Sequence, residues 1–252
     1  MKKKILAVVL VCILAVGAFA GFKFFQVRAV AGDSEALKVI GVDASQFHIS
    51  GAMPYDLSQN CEVLGSMLHK PRTIAYAFDS DGNGSAMFDS SYRLISYSNG
   101  KHQDTSETEL PENALMETAV QIAQRLDAGY QYYAERSNPD RLYFFFRKMI
   151  GADAYDAVTL LLNKDGSVRS FVAAYCDLDE NFSSDSLDAK IEKELTESVI
   201  PAYQEKNSNY QGYEITNETF YFKNGWKTYA MLAVNFEIGD GFHDTCNYLI
   251  AE

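Results

Sequence analysis

The chain has 252 residues, with 22 Lys and Arg against 34 Asp and Glu and a formal net charge of −12. Nucleic-acid binding needs a basic footprint to neutralise phosphates, and this composition argues against it. Apolar residues make up 47% of the chain, which suits one or two modest hydrophobic cores.

The N-terminus reads MKKKILAVVLVCILAVGAFAGFKFF. Lys2, Lys3 and Lys4 form a basic head, and no charged residue occurs between Ile5 and Phe22. An uncharged apolar run of about 18 residues is close to the minimum that spans a bilayer. Basic residues ahead of it favour a cytoplasmic N-terminus and an extracytoplasmic C-terminal part. Two readings of segment 1–30 stand side by side. One is a transmembrane anchor, with residues 5–22 in the cell membrane. The other is a signal peptide cleaved near Ala18–Phe19–Ala20, which would release a secreted protein. Five basic and no acidic residues fall in this segment, so the remainder carries 17 basic against 34 acidic side chains, a charge of −17. Of the four cysteines, Cys12 lies in the apolar run, and Cys61, Cys176 and Cys246 leave room for at most one internal disulfide. No CxxC or Cys/His spacing suggests zinc, and no cofactor is expected.

Residues 31–105 read as a β-rich block. KVIGVDASQFHIS suggests a strand or two, and YDLSQNCEVLGSMLHK is ambiguous and suits a short helix. RTIAYAF and SAMFDSSYRLISYS read as strands joined by a turn within DSDGNGSAMFDS. That turn begins like a calcium loop. Asp79, Asp81 and Asn83 fill positions 1, 3 and 5, and Gly84 fills position 6. Position 12 is Ser90 where a bidentate Glu belongs, Asp89 stands one residue early, and strands replace the flanking helices. The expectation is a hairpin turn. A cation site on Asp79, Asp81, Asn83 and Asp89 is the weaker alternative.

After the polar connector NGKHQDTSETEL comes a block at 106–180. PENALMETAVQIAQRLDAG predicts a helix opened by Pro111 and capped by Gly129, with Leu115, Ala119, Ile122, Ala123 and Leu126 on one face. Four strands follow, the last two joined by an Asn163–Gly166 turn. Residues 181–252 repeat the plan. Leu187, Ile191, Leu195 and Val199 mark a helix that Pro201 should kink or end, and three strands follow. The expected fold is α+β: an N-terminal transmembrane helix, then antiparallel sheets each covered by a helix, in a duplicated module.

The helix-then-strands order ending in VTLLLNKDGSVRSFV resembles the PepSY-type domains of bacterial envelope proteins, which look cystatin-like at this resolution. The resemblance spans about Leu110 to Asp177, with a fainter second copy to Ile250. It implies a non-enzymatic domain outside the membrane that binds a protein or peptide and regulates peptidases or other envelope proteins. The residues themselves are consistent with that role. There is no GxSxG, HExxH or phosphate-binding loop. His243 and Asp244 are strand neighbours that point apart, which disfavours a dyad with Cys246. An envelope hydrolase using carboxylates from separate blocks is the alternative, because 34 acidic residues are available. The densest aromatic stretch, YQYYAERSNPDRLYFFFRK, makes Tyr130, Tyr132 and Tyr133 the candidate binding residues, since exposed aromatic patches mark interfaces.

Overall fold

The computed structural model describes residues 35–57, 61–65, 70–80, 84–100, 109–138, 141–239 and 241–252. The apolar segment and loop residues Asp81 and Asn83 lie outside this set. Among the described residues no helix is long and apolar enough to cross a membrane.

The fold is α+β and mostly strand. A short helix α1 (Glu35–Val39) and a 3-10 turn (Ala44–Gln46) lead into β1 (His48–Asp56), β2 (Glu62–Val63), β3 (Arg72–Ser80), β4 (Gly84–Phe88) and β5 (Leu94–Ser98). Helix α2 (Glu112–Leu126) precedes β6 (Gln131–Asn138), β7 (Arg141–Ile150), β8 (Ala154–Leu162) and β9 (Val168–Ala174). Helix α3 (Asp185–Glu194) passes through a π turn (Leu195–Val199) into α4 (Ile200–Lys206), followed by β10 (Tyr210–Asn224), β11 (Lys227–Ile238) and β12 (His243–Ala251).

An eight-stranded sheet has the order β1-β3-β4-β5-β9-β8-β7-β6. Its strands come from two of the expected blocks, which therefore do not form separate layers. Ser96, Tyr97 and Ser98 of β5 pair with Val172, Phe171 and Ser170 of β9 and join them. Helix α2 lays Leu115, Ala119, Ile122 and Ala123 against Phe78, Phe88, Phe144, Phe146 and Phe171. Full burial of each phenylalanine contributes about 2–3 kcal/mol. Leu37 and Ile40 join the same core. This explains why Lys38 and Val39, the start of the KVIGVDASQFHIS stretch expected to be strand, end a helix instead, while its last residues, His48–Ser50, do open β1: one buried turn overrides a weak strand preference.

The second sheet has the order β10-β11-β12-β2. Leu187, Ile191 and Leu195 cover it by packing on Leu232, Val234, Phe236 and Ile250. Its fourth strand comes from the N-terminal block, where Glu62 and Val63 run parallel to Tyr248 and Leu249. Pro201 does not end the helix. It sits at the start of α4, directly after the π turn, where its missing N–H does least harm. Gly129 is not the cap of α2 either. Asp127 is the C-cap residue, and its Oδ1 accepts the Gly129 N–H at 2.8 Å.

Cys176 and Cys246 are free thiols. Cys61 packs with Val63 and Leu249 on one face of the second sheet, and Cys246 packs with Tyr248 and Ile250 on the other. The sheet between them blocks a bridge despite adjacent strands. Peptide mapping of the non-reduced protein should find no Cys61–Cys246 crosslink. Recovery of that crosslink would require a different register for β2.

Candidate functional site

Strand β6 forms one edge of the large sheet. Tyr132 pairs with Phe146 and Ala134 with Phe145, so Tyr133 is the extra residue of a β-bulge. A bulge re-aims side chains at a sheet edge. Tyr132 rests edge-on against Phe146 with ring centroids 6.1 Å apart, while Tyr133 turns over the Arg147 guanidinium at 3.5 Å. The other face of Arg147 meets the Tyr155 ring at 4.2 Å, and Tyr155 touches Phe220 of the second sheet edge-on at 5.5 Å. A ladder of Tyr133, Arg147, Tyr155 and Phe220 therefore runs from the edge strand of the large sheet to the neighbouring sheet.

Beside this ladder lies a groove of about 530 Å³, lined by Tyr132, Tyr133, Met149, Tyr155 and Tyr221 among others. Tyr132, Tyr133 and Met149 are 38%, 49% and 55% exposed. Part of the groove's polar lining is engaged internally. Asp153 accepts the Ser184 N–H at 3.0 Å, and Asp188 accepts the Ser184 hydroxyl at 2.6 Å and also the Tyr221 hydroxyl. Burial, then Asp188, pushes the Tyr221 phenol up to about 12. The groove offers a ligand aromatic surface and the edge strand β6.

Of the three tyrosines expected to bind, two line this groove. Tyr130 does not: it is buried in the core beneath α2. Its place just before β6 turns it inward, which aromatic density alone does not reveal. Arg147, Tyr155 and Met149 were missed, because they are adjacent to Tyr133 only across strands.

Acidic residues from separate blocks do converge, around Arg93. Its Nε donates to Asp89 at 2.8 Å, and its two terminal nitrogens donate to Asp177 at 2.6 and 2.8 Å. Burial works against the charge, but the hydrogen bonds to Asp177 and Asp89 prevail and hold the guanidinium proton more tightly than usual. Asp127 is likewise engaged by Lys148 and the Gly129 N–H, which hold its carboxyl below the ordinary range against a smaller effect of burial. Salt bridges to Arg93 and Lys148 thus engage these carboxylates.

The cation reading of the 79–89 loop fares similarly. Asp79 pairs with Ser85 across the β3–β4 hairpin. Asp89 lies at the far end of β4, where its Oδ1 accepts the Ser91 and Arg93 N–H groups and its Oδ2 the Arg93 side chain. The four steps from Ser85 to Asp89 separate the backbone positions of Asp79 and Asp89 by about 13 Å along the strand direction, which works against a shared ion. Asp244 accepts the Tyr203 hydroxyl at 2.9 Å, and burial followed by Asp244 raises the Cys246 thiol.

No family model matches the chain, and no curated protein matches it. Among solved structures the chain is similar to the Bacillus megaterium YpeB C-terminal domain, with 12% identity and a TM-score of 0.35, over 84% of this chain and 94% of that one.

Proposed function

We propose that this protein is a non-enzymatic, extracytoplasmic binding or regulatory domain held at the cell membrane by residues 5–22. Its two helix-then-strands units would be copies of one PepSY-like, cystatin-like module, a reading supported by α2 leading into β6–β9 and α3–α4 leading into β10–β12. The observation that carries the binding role is the exposed Tyr132–Tyr133–Met149 surface beside the open edge of β6. An extended peptide segment of a partner protein adds to such an edge through main-chain hydrogen bonds, and alternate side chains enter the aromatic groove.

Selection of a displayed random-peptide library on the full chain tests this reading. Enriched peptides should bind the Tyr132→Ala/Tyr133→Ala variant at least tenfold more weakly, because aromatic anchors at an interface carry about 2 kcal/mol or more. Tyr213→Ala, on the exposed surface of β10, should leave binding unchanged. Equal binding by all three proteins would remove the groove as the site.

A further inference from the structure

The single tryptophan of the chain, Trp226, is 85% exposed. It stands at the tip of the β10–β11 hairpin, where Asn224 pairs with Lys227 and Gly225–Trp226 form a two-residue loop. Gly225 takes a φ of +64°, the conformation that a tight hairpin of this length asks of its first loop residue. The hairpin is anchored from both sides. The Lys223 N–H donates to the Cys176 carbonyl at 2.7 Å, and the Asn224 amide donates to the Arg72 carbonyl at 3.3 Å. Trp226 is therefore presented on a braced support.

Lys223 and Lys227 flank Trp226, and the Lys227 ammonium lies 5.1 Å from its ring. Arg72 is joined to the hairpin through Asn224, and Lys190 donates to the Ala251 carbonyl at 2.7 Å, one residue from the Glu252–Thr228 contact. Asp56 pairs with Arg72 and Glu252 bonds to Thr228, while Asp89 and Asp177, both held by Arg93, line the same cavity as Lys223 and Gly225. In a protein whose residues beyond position 30 sum to −17, two lysines within three residues of the tryptophan set the charge of the tip itself.

We propose that this tip docks on an anionic phospholipid surface. Tryptophan settles at the interface between headgroups and acyl chains, and lysines beside it gain from anionic lipid. The placement is favourable for a tethered chain. Glu35, the first described residue, lines a cavity with Arg93 and Tyr175, and Gly225 lines the adjoining cavity with the same two residues. Both cavities reach Arg93 and Tyr175, so Glu35 and the hairpin approach the same part of the large sheet. The twelve residues between Phe22 and Glu35 span at most about 40 Å when extended, so a tether in the bilayer keeps the tip within reach of its surface. The inference uses the membrane tether of the proposed function but not the groove, so failure of one leaves the other standing.

Because Trp226 is the only tryptophan, its fluorescence reports the contact without labelling. The full chain is reconstituted in nanodiscs of brominated phosphatidylcholine, with or without brominated phosphatidylglycerol. The expected result is a blue-shifted emission strongly quenched by the brominated chains in the phosphatidylglycerol discs, and little quenching in phosphatidylcholine alone. Lys223→Gln/Lys227→Gln should weaken docking about 30-fold, from about a fivefold effect per lysine near an anionic surface. Equal quenching in both lipids would overturn the proposal, since the tether alone would then explain it. So would an unquenched tip open to acrylamide, or a blue shift without lipid quenching, which would indicate a protein partner instead.

Discussion

Gly84→Ala is expected to destabilise the protein by about 2–4 kcal/mol, whether or not calcium is present. Gly84 has a φ of +120°, and a Cβ there would fall 2.1 Å from the Ser98 carbonyl oxygen and 3.0 Å from the Asn99 Cα. Both obstacles are backbone of the paired strand β5 and the residue after it, so no rotamer change relieves them. Alanine pays twice, once for a φ that L-residues rarely adopt and once for separating two hydrogen-bonded strands. At about 2–4 °C per kcal/mol for a chain of this size, the melting temperature should drop by about 5–15 °C. Asp79→Ala, on an exposed strand position, should stay within about 0.5 kcal/mol. Melts in calcium and in chelator should give the same pair of shifts. A Gly84→Ala protein that melts like the parent would refute the close approach, and a loss seen only with calcium would restore the cation site.

Gly84 also shows where sequence reasoning reaches its limit. Its identity was legible, and so were the strands on either side of it. The reason for it was not, because the obstructing atoms belong to Ser98 and Asn99, beyond the following turn. Local periodicity served well wherever one element meets one core. Leu115, Ala119, Ile122 and Ala123 form the buried stripe of α2, and the Asn163–Gly166 turn closes with a Gly166 N–H to Asn163 carbonyl bond of 2.9 Å. It served poorly for pairing between distant strands. Nothing in Glu62–Val63 announces a parallel partner at Tyr248–Leu249, and nothing in Ser96–Ser98 announces β9. The groove follows the same rule. Tyr132 and Tyr133 were visible as an aromatic cluster, but the bulge that exposes them depends on register with Phe145 and Phe146. Arg147 and Tyr155 join them only through that register.

Arg93→Ala is expected to cost about 2–4 kcal/mol, because it strands two carboxylates rather than removing one contact. The larger share should come from Asp89, whose side chain is only 10% exposed, and the smaller from Asp177, which is 49% exposed and can recover water. Arg93→Lys should recover only part of the loss. One ammonium cannot supply both the Nε donor to Asp89 and the two-pronged contact to Asp177, nor can it stack flat on Tyr175, whose ring centroid lies 4.2 Å from the guanidinium carbon. Asp177→Asn combined with Arg93→Ala should be less damaging than the sum of the single changes, since the two share one interaction. The effect should also travel. Asp177 directly follows Cys176, whose carbonyl accepts the Lys223 N–H and fastens the second sheet to the first. Asp177 holds this position at a φ of +53°, an uncommon conformation for a non-glycine residue that the Arg93 clamp helps to maintain. Hydrogen exchange at the Lys223 amide should therefore accelerate in Arg93→Ala by more than at Val234, in the middle of the second sheet. If Lys223 stays protected while the melting temperature falls, the clamp serves the first sheet alone, and the Tyr155–Phe220 contact is what holds the two sheets together.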